Sequence, residues 1–332
     1  MKNTYDVIIL GAGPAGLKCA EELKNTKLSV LLIEKNQIIG PKICAGGLTQ
    51  LTKGFDYPKD KTIIFNKLEI FLGNKKYEIS MNNPIRTLDR YELGQYMFTK
   101  IKNTKNITIL KKTLVKSMEK NKIKTSRGTF HFKYLVGADG AASIVRKYLG
   151  LENKIYIGIQ YIIPKQYKKM KWFFNPKTLY SGYGWVFPHK TYTSAGVFFN
   201  PKFLKVNKAR EILDKFLDDC GVDYKKAQYE GAPANCLYKG IKFDNIFLAG
   251  DAAGLTSAAT GEGISFALTS GKEVAKKIIN PNHKTIELDK IVKIKQKGDN
   301  RLEFLDRFPL FQSILLRIYV NLLKSSKFQS WL

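Results

Sequence analysis

Apolar residues run almost without a break through Tyr5-Asp6-Val7-Ile8-Ile9-Leu10 and stop at Gly11-Ala12-Gly13-Pro14-Ala15-Gly16. A strand covered on both faces loses its polar alternation, so residues 5–10 are predicted as a buried parallel strand. The spacing then predicts a helix over 14–25 and a second buried strand, Ser29-Val30-Leu31-Leu32-Ile33, closed by Glu34. Residues 62–80 alternate about Gly73-Asn74, the signature of a hairpin. A helix is predicted over 90–103, and strands over 106–136 with a turn at Arg127-Gly128. Residues 155–200, rich in Tyr, Phe, Ile and Trp between short turn signals, suit an antiparallel sheet. Further helices are predicted over 207–219 and 263–279. From Phe304 onward the chain is apolar but broken by Arg307, Gln312, Arg317, Asn321 and lysines. That pattern reads first as an amphipathic helix packed on the body, and second as a segment lying shallowly in a membrane surface.

The first strand, glycine turn, helix and second strand make one βαβ unit. Its glycines allow a tight turn, close approach of backbone to a pyrophosphate, and close helix–strand packing. The helix N-terminus offers N–H groups to phosphate. Glu34 lies about 20 residues past the glycines, where a carboxylate accepts ribose hydroxyls. A lone glycine motif of this kind is weak. Far along the chain, however, Asn245-Ile246-Phe247-Leu248-Ala249-Gly250-Asp251-Ala252-Ala253-Gly254 is followed by Thr260-Gly261-Glu262-Gly263-Ile264. A third strand-like segment ends in Gly137-Ala138-Asp139-Gly140, with Ser143 and Arg146 behind it, setting a carboxylate at a sheet's C-terminal edge. Together these point to FAD.

Composition narrows the partners. A chain of 332 residues can bury a large core or two interleaved domains. The formal charge of +28 comes mostly from lysines dispersed in pairs such as Lys75-Lys76, Lys111-Lys112 and Lys276-Lys277. Dispersed lysine favours solubility and attraction to anionic surfaces without defining a groove. No nucleic-acid-binding motif accompanies it, so no nucleic-acid partner is expected. Cys19, Cys44, Cys220 and Cys236 show no CxxC spacing, which argues against a metal site, an iron–sulfur cluster or a disulfide framework. Free thiols and an N-terminal apolar run too short for a signal peptide suggest the cytoplasm, with peripheral membrane contact as an extension. No apolar run has transmembrane length.

In this order the segments resemble the FAD-dependent superfamily of aromatic hydroxylases, flavin halogenases and geranylgeranyl reductases, over nearly the whole chain. Three marks resemble the geranylgeranyl reductase branch: the loop Pro41-Lys42-Ile43-Cys44-Ala45-Gly46-Gly47-Leu48, the YxWxFP-like Tyr183-Gly184-Trp185-Val186-Phe187-Pro188, and the Gly250-Asp251 and Gly261-Glu262-Gly263-Ile264 pair. Two positions depart from that family. Tyr180 stands where a proline often precedes the aromatic motif, and Ala258-Ala259-Thr260 replaces a proline-bearing segment before Gly-Glu-Gly.

The resemblance implies an α/β fold: a Rossmann-like FAD-binding domain from residues 1–60, 84–150 and 240–300, and a mostly antiparallel substrate domain from 61–83 and 151–239. Residues 301–332 form a helical tail. It implies cofactor contacts at Gly11, Gly13, Ala15, Gly16, Glu34, Lys35, Cys44, Ala45, Arg90, Asp139, Gly140, Gly250, Asp251, Gly261, Gly263 and Ile264. For Arg90 a surface salt bridge is an equally good account. Tyr183, Trp185 and Phe187 alternate and share one strand face, either as a plain core stripe or, with Pro188, as the wall of a site for a long isoprenoid. Cys44 is either a proton donor beside the flavin or a packed thiol. His189 follows the aromatic motif and reads first as a water-exposed loop residue, second as one near substrate.

The expected activity is hydride transfer from reduced flavin to carbon–carbon double bonds of a prenyl (geranylgeranyl-type) lipid or isoprenoid. With no second complete glycine motif after a strand, electrons would come from NAD(P)H visiting transiently or from a small redox protein. The rivals are a flavin-dependent monooxygenase or halogenase on the same fold, and a lipid-binding flavoprotein with little turnover.

Overall fold

A computed structural model describes residues 2–324, and two eight-stranded sheets organise them. The first has Thr4–Leu10 at its centre, paired in parallel with Val30–Ile33 on one side and Gly128–Gly137 on the other. Ile107–Leu110 extends it beyond Val30–Ile33, and Ile246–Leu248 and Lys242–Phe243 extend it beyond Gly128–Gly137. A short hairpin, Val115–Glu119 with Lys122–Thr125, hangs from the Gly128–Gly137 strand. The apolar runs explain this arrangement: Val7, Ile8, Ile9 and Val30, Leu31, Leu32 have no exposed surface, as strands covered on both faces require.

The pairing of Ile246–Leu248 with Leu135–Gly137 matters most for function. It carries Gly250-Asp251, from the far end of the sequence, to the sheet edge where Gly11 and Asp139 already emerge. Two helices follow these turns, Pro14–Leu23 and Ile264–Ile279, and they cross closely. A Cβ on Gly271 would sit 2.2 Å from the Ala15 carbonyl oxygen, so the crossing tolerates no side chain there.

The second sheet runs Gln228–Asn235, Ile155–Ile163, Thr193–Phe199, Tyr183–Pro188, Lys171–Phe174, Ile63–Leu72, Lys75–Thr87, Gly47–Leu48. All neighbours are antiparallel except Lys171–Phe174 with Ile63–Leu72. One face is covered by the helix Val206–Asp219, whose Ala209, Leu213 and Leu217 pack on Ile159, Val186 and Val197. The opposite face carries Ile70, Ile79, Trp185, Phe187 and Phe198.

Some boundaries differ from the sequence reading. The first helix stops at Leu23, and the helix expected to reach 103 stops at Thr99 and continues as turns. A helix absent from the sequence reading, Ile286–Arg307, leads through Phe308 into Pro309–Leu323. It grips the body by an unusual device. Lys295 is buried and donates to the Cys236 carbonyl (2.7 Å) and to Asp299 (2.5 Å), whose other oxygen accepts the Ala258 N–H at 2.8 Å. The tail beyond Lys324 lies outside the described residues. No helix among the described residues is long and apolar enough to cross a membrane.

Candidate functional site

Three strand ends converge at the C-terminal edge of the parallel sheet. Gly11, at φ +98°, donates to the Ile33 carbonyl at 2.8 Å, and a Cβ there would lie 2.4 Å from the Ala138 oxygen. A Cβ on Gly16 would lie 1.9 Å from the Gly11 oxygen. Gly13 behaves differently: its φ of −77° suits any residue, and a Cβ would meet nothing within 4 Å. Packing therefore demands Gly11 and Gly16, whereas Gly13 borders open space. Pro14 starts the helix, and no side chain caps its first turn. Glu34 holds the loop from the next strand, its carboxylate accepting the Ala12 and Asn36 N–H groups at 2.8 and 2.9 Å.

Beside this loop, Asp139 accepts the Ile144 N–H at 2.8 Å through Oδ2, while its buried Oδ1 has no partner. Burial pushes its carboxyl above the usual range. Arg146, fully buried, spends its guanidinium on the carbonyls of Glu152, Ala252 and Leu237. It thereby pins the Gly250–Ala253 turn to the segment behind Asp139. Gly250 itself is left-handed at φ +59°, its N–H held by the Ser270 hydroxyl at 2.9 Å.

A cavity opens between the two sheets. Its lining includes Pro14, the loop Lys42–Gly47, Arg90, Asp251, Gly261–Ile264 and the aromatic strand. Asp251 meets Lys42 at 2.8 Å and the Thr256 hydroxyl at 2.6 Å. Burial works against its charge, but Lys42 prevails and keeps the carboxyl below the usual range. Glu262 lies opposite, one oxygen accepting from Thr49 (2.8 Å) and Ser265 (2.7 Å). Burial dominates there and raises its carboxyl despite the two hydroxyls. The helix that follows, Ile264–Ile279, has Gly263 as an N-cap without a side chain, leaving its positive end uncovered toward the cavity.

Arg90 is 6% exposed, with Nη1 buried and unpartnered, and it forms no ion pair among the described residues. The surface salt bridge considered for it is therefore wrong. Asp89 caps its helix through the Tyr91 and Glu92 N–H groups, and Tyr192 donates to Asp89 at 2.7 Å, so Arg90 is fixed at a helix start. His189 also departs from expectation. It is buried, its ring lies flat on Tyr192 (4.4 Å, 9°), and Nε2 is 3.0 Å from the Ala45 carbonyl. Antiparallel pairing of the flanking strands, with the His189 N–H bonded to the Tyr192 carbonyl, turns the ring inward. It braces the Cys44 loop from behind. Cys44 is half-buried in the lining and accepts the Gly46 N–H at 3.4 Å.

Tyr183, Trp185 and Phe187 all face the cavity, joined by Trp172 and Phe198. Tyr183 donates to the Thr260 carbonyl at 2.6 Å, and burial pushes its phenol up. The Trp185 indole donates to Ser194 (2.8 Å), which donates to Gln160 (2.8 Å), which donates to Glu230 (2.6 Å). This relay fixes the position of the indole while its carbon skeleton stays apolar. Pro188, expected in the wall, is not in the lining; its carbonyl accepts the Thr87 hydroxyl at 2.6 Å and ties two strands. Tyr180, at φ +55°, packs outward on Phe203.

Of the residues singled out in the sequence, Cys44, Ala45, Arg90, Tyr183, Trp185, Phe187, Asp251, Gly261, Gly263 and Ile264 share the cavity. Gly11, Gly13, Ala15, Gly16, Glu34, Asp139, Gly140 and Gly250 cluster at the adjoining strand ends. Lys35 is exposed beyond Glu34. Lys42, Thr49, Gln160 and Glu262 also line the cavity; Lys42 and Glu262 lie inside the two loop motifs, whereas nothing local marks Thr49 or Gln160. Three features fit a flavin dinucleotide: open space at Gly13, an unpartnered donor on Arg90, and an unpartnered acceptor on Asp139.

The pyridine nucleotide-disulphide oxidoreductase family matches residues 5–167. The chain is 30% identical over 299 residues to an uncharacterized protein of Methanosarcina barkeri, covering 85% of this chain and 76% of that protein. It is 29% identical to digeranylgeranylglycerophospholipid reductase 3 of Methanosphaera stadtmanae, covering 80% and 75%. A solved geranylgeranyl bacteriochlorophyll reductase-like protein of Thermoplasma acidophilum superposes with a TM-score of 0.80 at 21% identity, over 99% of this chain and 93% of that one.

Proposed function

The chain belongs to the geranylgeranyl reductase family of FAD-dependent oxidoreductases, and on that premise we propose that it saturates carbon–carbon double bonds in the prenyl chains of a lipid. The observation carrying this reading is the continuity of the cavity: the aromatic wall of the antiparallel sheet adjoins the uncapped helix start at Gly263 and the Cys44 loop. Bound flavin supplies the hydride, as cofactors supply the hard chemistry in such enzymes.

The chain's own residues do the rest. Gly13 and the first turn after it would hold the pyrophosphate, Glu34 would accept the ribose hydroxyls, and Arg90 with the Gly263 helix end would favour negative charge on the reduced flavin. Tyr183, Trp172, Trp185, Phe187 and Phe198 present area and shape to an apolar chain and exclude water from it. A proton must reach the second carbon of each bond. Two groups in the lining can hold one: the Cys44 thiol, and the Glu262 carboxyl, kept protonated to higher pH by burial. In this reading the parallel sheet serves as the cofactor domain and the antiparallel sheet as the substrate domain. Electrons would arrive from NAD(P)H or a small redox protein.

The test is anaerobic. Dithionite-reduced protein is mixed with a geranylgeranyl lipid, and flavin absorbance is followed alongside product mass. Reoxidation with a mass gain of about two per saturated bond is expected. A flavin that stays reduced until oxygen enters would move the monooxygenase reading to first place.

A further inference from the structure

The helix Pro309–Leu323 is apolar on two opposite sides, which a helix packed on a protein body does not require. Its inner side is accounted for. Val320 and Leu323 are fully buried in the cluster that contains Ile70, Ile79, Trp185 and Phe198, and Gln312 turns inward to donate to the Leu305 carbonyl at 2.8 Å. On its outer side Phe311, Ile314, Leu315, Ile318 and Leu322 recur at intervals of three and four. At about 100° per residue they fall within one face about 100° wide. Phe311 is 57%, Ile314 55% and Ile318 50% exposed. Phe304 and Phe308, rings 4.9 Å apart and also exposed, extend this patch across the elbow.

We propose that this outer face docks on an anionic lipid bilayer, with the helix lying in the plane of the interface. Charge selects the occupant. The last acidic residue of the sequence is Asp306; from Arg307 to Leu332 there are Arg307, Arg317, Lys324 and Lys327 and no Asp or Glu. A second copy of a chain with net charge +28 would bring like charge to like, whereas anionic headgroups would meet the cations while acyl chains receive the apolar face. The helix of 15 residues spans only about 22 Å, too short to cross hydrocarbon, so it lies on the surface rather than through it. Because its inner side shares the cluster that holds Trp185, docking would set the cavity's apolar wall against the leaflet. That last link rests on the prenyl-lipid reading; the docking surface does not.

The experiment is flotation of the full chain with vesicles of phosphatidylcholine containing phosphatidylglycerol, and with pure phosphatidylcholine. Binding to the anionic vesicles is expected, at least about tenfold weaker to neutral ones. The combined variant Phe311→Ser, Ile314→Ser, Ile318→Ser should lose binding while keeping its melting temperature, since all three side chains are exposed. Wild-type protein that fails to float would overturn the proposal. Equal flotation of the variant would overturn it too, assigning binding to dispersed lysines. A dimer in solution that the variant converts to monomer, without vesicle binding, would assign the face to a second copy. Flotation requires no turnover, so protein that floats but leaves prenyl lipids unreduced would refute the reductase reading and uphold the docking.

Discussion

Gly13 and Gly16 occupy one turn, yet the structure assigns them opposite fates on substitution by alanine. At Gly16 the new Cβ would lie 1.9 Å from the carbonyl oxygen of Gly11, a residue whose own N–H donates to the Ile33 carbonyl. The helix would have to withdraw by more than an ångström, and overpacking of that kind costs about 3 kcal/mol. For a chain of this size that lowers the melting temperature by about 4 °C. At Gly13 the Cβ meets nothing within 4 Å and φ is −77°, so no strain arises. Alanine is a poorer N-cap than glycine by roughly 0.5 kcal/mol, and the stiffer unfolded chain returns about as much. Gly13→Ala should therefore melt within about a degree of wild type when stripped of flavin. Its flavin affinity should still fall. Holding the pyrophosphate off the loop forfeits at least one charge-assisted hydrogen bond, about 1.5–3 kcal/mol, or roughly 10- to 100-fold. The assay pairs thermal unfolding of the apoproteins with titration of FAD. Wild-type affinity in Gly13→Ala would refute the assignment of that open space to the cofactor, and an unaltered melt in Gly16→Ala would refute the packing argument.

Three further outcomes follow from the site. Burial raises the Glu262 carboxyl above its ordinary value of 4.5, so the folded state holds that proton more tightly than the unfolded one. Its contribution is fully present below pH 4.5 and is lost as pH rises through the folded value. Glu262→Gln mimics the protonated form, so its advantage over wild type in urea unfolding should grow as pH rises; a difference independent of pH would count against it. Trp185→Ala should cripple lipid turnover and leave the flavin spectrum intact, as measured by product mass and absorbance, and undiminished turnover would return the strand to a purely structural role. Lys295→Met leaves Asp299 charged and buried without its cation, costing about 3–5 kcal/mol by chemical denaturation; an unchanged midpoint would show that the pair is dispensable.

Much of this site was legible because its parts are local. Each glycine turn is announced by the apolar strand before it, and the alternation of Tyr183, Trp185 and Phe187 places all three on the face that proves to line the cavity. What stayed hidden depends on long-range pairing. Lys42 and Asp251 lie 209 residues apart, and nothing local marks them as partners. His189 reads as a loop residue until strand pairing folds it beneath Ala45. The helix Ile286–Arg307 was concealed by its own buried face: Lys295 and Asp299 look like solvent-facing positions, and only their mutual neutralisation lets them sit inside.

The clasp between Asp299 and the Ala258 N–H also bears on how the protein is born. The glycine turn after Leu10 is made well before Ile246–Leu248, the strand that its sheet needs, and the turn after Ala258 lacks its anchor until residue 299 has been made. Until then the chain holds half a cradle whose closing contacts are long-range, the kind that form slowly and leave apolar edges bare. Closing the cradle thus waits on residues far along the sequence from Gly11, and deletion of Lys295 and Asp299 would release the turn after Ala258 as well as the helix that carries them.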